Sequence, residues 1–215
     1  MSLKPQLPNQ APNQALKTDA LSGGFAEPVF HAQSVFKLMM DAMARPGTIQ
    51  TVAPDAEPPA PLGIAAGAIA LTLCDHDTPV WLSSGLAKSA VPQWLGFHTG
   101  ASVTAEKAEA RFAFVEAGAP LCSFGLFASG TQEYPDRSTT LVIELPDLEG
   151  GRRLALMGPG IKTVNDIAPL GLPDAFLHLW TENRALFPRG IDIVLTSGSR
   201  FVCLPRTTKI TATEM

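Results

Sequence analysis

The sequence predicts a single α/β domain built on a mixed β-sheet flanked by helices. Helical and strand-like segments alternate along the chain, which is typical of that class, and no internal repeat is visible. With 215 residues, 46% of them apolar, the chain is long enough for one sizeable core. The first 24 residues are rich in Pro, Gln and Asn, so we expect a disordered tail over 1–24 and an ordered domain over 25–215.

The first predicted helix contains Phe36, Met39, Met40 and Met43, whose three- and four-residue spacing predicts one shared apolar face. Pro46-Gly47 cannot continue the helix and ends it. The elements predicted after it, in order, are a strand over 48–52, a buried helix over 62–74, a strand over 80–82, a helix over 92–98, a strand over 111–115 and a short helix over 121–127.

The second half is predicted to hold two hairpins with a helix between them. The first joins strands over 139–145 and 152–157 across the Asp- and Gly-containing turn 147–151. The helix covers 173–186, with Pro173 in its first turn. The second hairpin pairs 191–195 with 201–204.

Composition excludes several classes of protein. Charged residues make up only 17% of the chain, so either part of the surface is covered by another chain or the exterior is simply rich in alanine. The net charge of −4 comes from scattered single charges, which argues against nucleic-acid or membrane-surface binding. Three cysteines without metal-ligand spacing, and no apolar run of membrane-spanning length, predict a soluble cytoplasmic protein.

A glycine-containing turn follows the strand predicted over 152–157. Gly158 and Gly160 would let backbone amides approach an anion, particularly if a helix began just after them. The alternative is a tight turn that reverses the chain, and lone glycine motifs favour that alternative.

Three arginines lie in stiff, polar segments. Arg137 is predicted either to clamp a phosphonate or phosphate oxygen or to meet a carboxylate of a neighbouring subunit. Arg189 and Arg206 each follow a proline and flank the second hairpin, so they are expected near each other at one of its ends. They are either an anion or partner site or two ordinary turn residues.

The remaining polar segments do not indicate an enzyme. The segment from Cys74 to Asp77 contains potential metal ligands, but a polar loop that ends a helix explains it, and no metal is predicted. No histidine or serine lies in a recognisable catalytic pattern, so no catalytic residue is assigned.

Taken together, several segments resemble the PhnH family, a subunit of the bacterial carbon–phosphorus lyase core complex. They occur in family order and cover nearly all of the chain after Pro28. The matching segments are 36–47, 75–82, 97–99, 134–142, 158–161, 187–192 and 204–208.

The resemblance implies a role in organophosphonate breakdown with PhnG-, PhnI-, PhnJ- and PhnL-like partners. The implied product, formed from ATP and methylphosphonate, is alpha-D-ribose 1-methylphosphonate 5-triphosphate. It also implies a fold like a reduced pyridoxal-phosphate transferase and a homodimer when isolated. We expect a mainly structural subunit with no activity alone and no cofactor. The alternatives are a purely scaffolding protein or a free-standing pyridoxal-phosphate enzyme, for which Lys162 is the candidate lysine.

Overall fold

The protein is described by a computed structural model that covers residues 21–53 and 56–213. These residues form three layers: a group of helices, a six-stranded sheet, and a three-stranded sheet accompanied by one further helix. The helices are α1 (Pro28–Ala44), α2 (Ile64–Leu73), α3 (Ser84–Ala87), α4 (Val91–Thr99) and α5 (Phe176–Ala185). The strands are β1 (Gln50–Thr51), β2 (Val80–Leu82), β3 (Phe112–Val115), β4 (Thr140–Glu144), β5 (Leu154–Met157), β6 (Asn165–Ile167), β7 (Asp192–Ser197), β8 (Arg200–Leu204) and β9 (Lys209–Ala212).

The six-stranded sheet is mixed, as the sequence predicts. Its strand order is β1-β8-β7-β4-β3-β2. Strands β2, β3, β4 and β7 run parallel, whereas β8 is antiparallel to β7 and β1 is antiparallel to β8. A parallel sheet is covered on both faces, which is why its central strands are almost continuously apolar.

Each central strand contributes side chains to two separate cores. On β4, Val142 packs with the helices, whereas Leu141 and Ile143 pack towards the second sheet and α5. Neighbouring residues of a strand point to opposite faces, so one short apolar run supplies both cores. Trp94 is buried in the helical core and Trp180 in the other.

The N-terminal part of the described chain is attached to the domain by its backbone. Trp94 donates its indole N–H to the carbonyl oxygen of Ser22 at 2.9 Å. Glu57 donates its backbone N–H to the carbonyl oxygen of Gly23 at 2.9 Å. Backbone contacts to the domain therefore begin slightly before Phe25; the rest of the predicted tail, 1–20, lies outside the described residues.

The predicted apolar face of the first helix is only partly right. Met39 is buried, but Phe36 is 51% exposed and Met40 is 57% exposed. The buried face of α1 consists of Val35, Met39 and Ala42. The sequence carries two overlapping apolar stripes on this helix, and only one of them faces α2 and β8.

The first predicted hairpin is wrong. Strand β4 lies between β3 and β7, so both of its edges are already paired. Strand β5 instead belongs to the second sheet, where it pairs with β6 and β9. The 147–151 segment therefore carries the chain from one sheet to the other.

The second hairpin is confirmed, with β7 and β8 joined through Gly198 and Ser199. Strands β6 and β9 were not predicted. Helix α5 begins at Phe176, so Pro173 precedes the helix instead of lying in its first turn. The 121–127 segment contains only a 3-10 turn, at Phe124–Leu126. Within the described part of the chain, no helix combines the length and the apolar character that crossing a membrane requires.

Candidate functional site

The predicted arginine segments meet around the loop 205–208, which connects β8 to β9. An open cavity of about 320 Å³ lies there. Residues from all three segments line it: Pro135, Asp136, Phe187, Pro188, Asp192, Pro205, Arg206 and Thr207. Because 135–137 precedes β4 and Asp192 begins β7, the cavity lies at the amino-terminal edge of the parallel strands. Arg189 precedes β7 by three residues and Arg206 follows β8 by two, so both lie at the open end of the second hairpin.

Arg206 is engaged in contacts within the chain. It donates from Nε to Oδ1 of Asp192 at 3.1 Å and from Nη2 to Oδ2 at 2.5 Å. It also donates to the carbonyl oxygen of Pro135 at 2.7 Å and to Oγ of Ser138 at 2.6 Å. The side chains of Arg206 and Asp192 are only 12% and 20% exposed. Arg206 therefore holds the loop before β4 against the start of β7. Its positive charge is neutralised by Asp192.

Arg137 lies on that loop and is exposed. Its guanidinium carbon is 4.2 Å from the centre of the Tyr134 ring, within the range of a cation–π contact. It forms no ion pair with any residue of the described ranges. Because stacking uses the face of the guanidinium, its N–H groups remain available at the edge.

Arg189 directly follows two residues that line the cavity, Phe187 and Pro188. Its Nε atom is buried and has no acceptor among the residues that the structure describes. A buried donor without a partner costs about 1–3 kcal/mol. Such a donor is an unusual feature that calls for an explanation.

Gly158 and Gly160 lie in the turn between β5 and β6, and both have positive φ, +141° and +81°. A Cβ atom at Gly160 would lie 2.0 Å from the carbonyl oxygen of Ala44. One at Gly158 would lie 3.2 Å from the carbonyl oxygen of Thr207. A strand follows this turn, so the helix that would have favoured an anion is absent from it. A tight turn packed between the end of α1 and the loop 205–208 accounts for both glycines.

The sequence interpretation missed two carboxylates at the opposite, carboxyl-terminal edge of the sheet. Glu116 follows β3 and Glu144 ends β4, and both line a cavity of about 170 Å³. That edge is where open α/β sheets commonly bind ligands. The available signal was an acidic residue at the end of each of two apolar runs, 112–115 and 141–143.

Both carboxylates already accept hydrogen bonds within the chain. Glu144 accepts from the Thr196 hydroxyl at 2.5 Å and from the Gly198 N–H at 3.0 Å. Burial raises the pKa of Glu144, and these two hydrogen bonds oppose that effect. Glu116 accepts from the Ser83 hydroxyl and from the Gly85 N–H at 2.9 Å. These acids anchor the start of α3 and the β7–β8 turn.

The segment from Cys74 to Asp77 is a turn that ends α2. Asp75 accepts from the Thr78 hydroxyl at 2.7 Å and from the Asp77 N–H at 3.0 Å, and the Thr78 bond is the main cause of its lowered pKa. Burial raises the pKa of Cys74 to about 12, which keeps its thiol protonated. Across 21–53 and 56–213, no three His, Cys, Asp or Glu side chains are grouped as metal ligands.

Lys162 lies on the loop between β5 and β6. A Schiff-base lysine needs a pocket that holds the cofactor and lowers the lysine pKa. Lys162 is exposed and lines neither of the two cavities described above.

Residues 23–211 match the protein family described as "Bacterial phosphonate metabolism protein (PhnH)". A Rhizobium meliloti (strain 1021) protein described as "Alpha-D-ribose 1-methylphosphonate 5-triphosphate synthase subunit PhnH" is 64% identical over 189 residues, covering 88% of this chain and 94% of that protein. A Stutzerimonas stutzeri protein described as "Putative C-P lyase subunit protein HtxG" is 35% identical over 81 residues, covering 38% of this chain and 42% of that protein.

Proposed function

The chain belongs to the PhnH family, and from this membership we propose that it is a subunit of alpha-D-ribose 1-methylphosphonate 5-triphosphate synthase. The enzyme acts in the carbon–phosphorus lyase pathway of phosphonate breakdown. The observation that carries this function is the 64% identity to the Rhizobium meliloti subunit, which extends over 94% of that protein. The match to the family model covers residues 23–211, which include every segment that lines the cavity.

The proposed reaction replaces the adenine of ATP by methylphosphonate. The bond between C1′ of the ribose and adenine breaks, and a phosphonate oxygen bonds to C1′. Adenine leaves with the proton that the phosphonate loses, so the step needs no oxidant or reductant. The reacting groups come mainly from other subunits of PhnG-, PhnI- and PhnL-like type, with a PhnJ-like subunit in the same complex.

The contribution of this chain is mainly structural. The loops around the 205–208 cavity supply contacts to an anion or to a partner through Arg137 and Arg189, while Arg206 fixes their position. Gly158 packs against the same loop at Thr207, and Gly160 packs against the end of α1 at Ala44. We also propose that the isolated chain forms a homodimer and that it works in the cytoplasm.

A pyridoxal-phosphate enzyme is the weaker candidate because Lys162 is exposed. The likeness of the fold to pyridoxal-phosphate transferases stays a prediction. Absorbance of the purified chain in the near-visible region, lost on Lys162→Ala, would favour that candidate over the synthase subunit.

Reconstitution of the synthase from purified subunits tests the proposed function. ATP and methylphosphonate are supplied, and the product is followed by phosphorus NMR together with the release of adenine. We expect product only when this chain is added to the other subunits, and no product from this chain alone. The Rhizobium meliloti subunit serves as the matched positive control. Equal synthesis with and without this chain would contradict the proposal, and so would turnover by the isolated chain.

A further inference from the structure

The loops around the 205–208 cavity present a surface of exposed aromatic and arginine side chains set among half-buried prolines. We define this arginine–proline surface as Tyr134, Pro135, Arg137, Phe187, Pro188 and Pro205. Phe187 is 61% exposed, and Tyr134 is exposed beneath the stacked Arg137. Aromatic residues and arginine are enriched at the energetic centres of protein interfaces. Proline restricts the backbone, so little conformational entropy is lost when such a surface is covered.

The charges around this surface favour the binding of a carboxylate group from a partner. Arg137 and Arg189 have no ion pair within the described ranges, and Nε of Arg189 is buried without an acceptor. Arg206 is already neutralised by Asp192. A single carboxylate matches the planar edge of Arg137, which can bind it through two parallel hydrogen bonds.

The same surroundings are unfavourable for a phosphonate or a triphosphate. Asp136 lines the cavity without an ion pair in the described ranges and repels a multiply charged anion, whereas Asp192 is paired with Arg206. The cavity also lies at the amino-terminal edge of the parallel strands, opposite to the edge where α/β sheets commonly hold small ligands. An apolar side chain, by contrast, fits a cavity lined by Phe187 and three prolines.

We propose that the arginine–proline surface docks an extended segment of another synthase subunit, with an Asp or Glu carboxylate on Arg137 and an apolar side chain of that segment beside Phe187. The inference rests on the proposed function only in that the partner is a subunit of the same synthase. It assigns these residues to assembly and not to substrate binding.

The test measures how tightly the parent chain and the variants Arg137→Ala and Phe187→Ala bind the other purified subunits of the synthase. The controls are Arg152→Ala, an exposed arginine two residues before β5, and Phe97→Ala, a residue that is 59% exposed. Far-UV circular dichroism and urea midpoints first establish that all variants are folded. The Kd is then measured by analytical ultracentrifugation at low and high salt. Synthesis is measured at saturating subunit concentration.

We expect Kd to rise about tenfold or more for both surface variants and to stay within about twofold for both controls. Arg137→Ala should also make Kd less dependent on salt. Salt screens the attraction between Arg137 and the partner's carboxylate, and the variant has lost that attraction. For Phe187→Ala, which is not among the anion contacts named above, kcat and the KM for methylphosphonate should match those of the parent at saturating subunits.

The proposal is overturned if the surface variants bind like the parent or if the controls weaken binding equally. It is also overturned if assembly is unchanged and the KM for methylphosphonate rises, because the surface then holds substrate. If the parent assembles with the other subunits but supports no synthesis, only the proposed function fails, because Kd is measured without turnover.

Discussion

At the scale of single residues, Arg206 was a candidate for ligand binding, but its contacts are to other residues of the same chain. Its guanidinium neutralises Asp192 and also bonds the loop before β4 through Pro135 and Ser138. Removing one member of a shielded ion pair leaves the other charge buried without a partner. That loss typically costs about 3–5 kcal/mol.

We therefore predict that Arg206→Met lowers the free energy of unfolding by about 3 kcal/mol, measured by urea denaturation. Adding Asp192→Asn should recover part of the loss, because no charge is then stranded. Arg200→Met is the matched control: Arg200 pairs with the more exposed Asp147 and Glu149, so its loss should be below about 1 kcal/mol. Equal losses for the two arginines would contradict the structural role of Arg206.

At the scale of elements, helix α1 presents two apolar stripes with different surroundings. Val35, Met39 and Ala42 pack into the helical core, whereas Phe36 and Met40 remain on the surface. Both stripes satisfy helical periodicity. Only the position of α2 and β8 decides which one is buried.

Adjacent methionines on this helix provide a matched pair for a stability test. Met39→Ala should lower the free energy of unfolding by about 2–4 kcal/mol, because it leaves a cavity in the core. Met40→Ala should change it by less than about 0.5 kcal/mol, because the side chain is exposed. Urea denaturation of both variants measures the difference, and similar values would show that the buried face has been misassigned.

The sequence predicted those strands that are marked by a short apolar run in their own residues. The apolar runs of β2, β4 and β7 are short and uninterrupted, and they were found. Strand β6 begins Asn165-Asp166 and lacks such a run. Strand β9 is held by pairing with β5, more than fifty residues earlier in the chain. Strand β9 therefore depends on a distant partner that no local pattern encodes, whereas β6 pairs with the neighbouring β5 and was missed because its own sequence lacks an apolar run.

The candidate site, too, was predicted from the sequence only where it depends on local features. The expectation that Arg189 and Arg206 lie at one end of a hairpin followed from local turn positions. The pairing of Arg206 with Asp192 did not follow, because it requires the side-chain geometry of the 205–208 loop against the start of β7. Glu116 and Glu144 were missed because their proximity depends on β3 and β4 being parallel neighbours.

At the scale of the whole molecule, the central sheet couples two cores. Val142 and Val194 belong to the helical core, while Leu141 and Ile193 belong to the other core on the same strands. Neither core can lose its packing without exposing one face of the shared strands. The domain should therefore unfold as one cooperative unit.

Single-tryptophan variants can report on each core separately. Trp81→Phe with Trp180→Phe keeps Trp94 in the helical core, and Trp81→Phe with Trp94→Phe keeps Trp180 in the other. In each variant, we expect the fluorescence and far-UV circular dichroism transitions in urea to coincide. Two separated transitions in either variant would show that the cores unfold independently.

The ends of the six-stranded sheet restrict how other proteins can join it. Its outermost strands, β1 and β2, are only two and three residues long. Along β2, Val80 exchanges backbone hydrogen bonds with the carbonyl of Ser102 and the N–H of Thr104. A companion chain that extended this sheet by adding a strand would find almost no free backbone to pair with. Contacts that other chains make at this sheet therefore depend on side chains displayed on loops and helices, where single substitutions can tune them without altering the sheet.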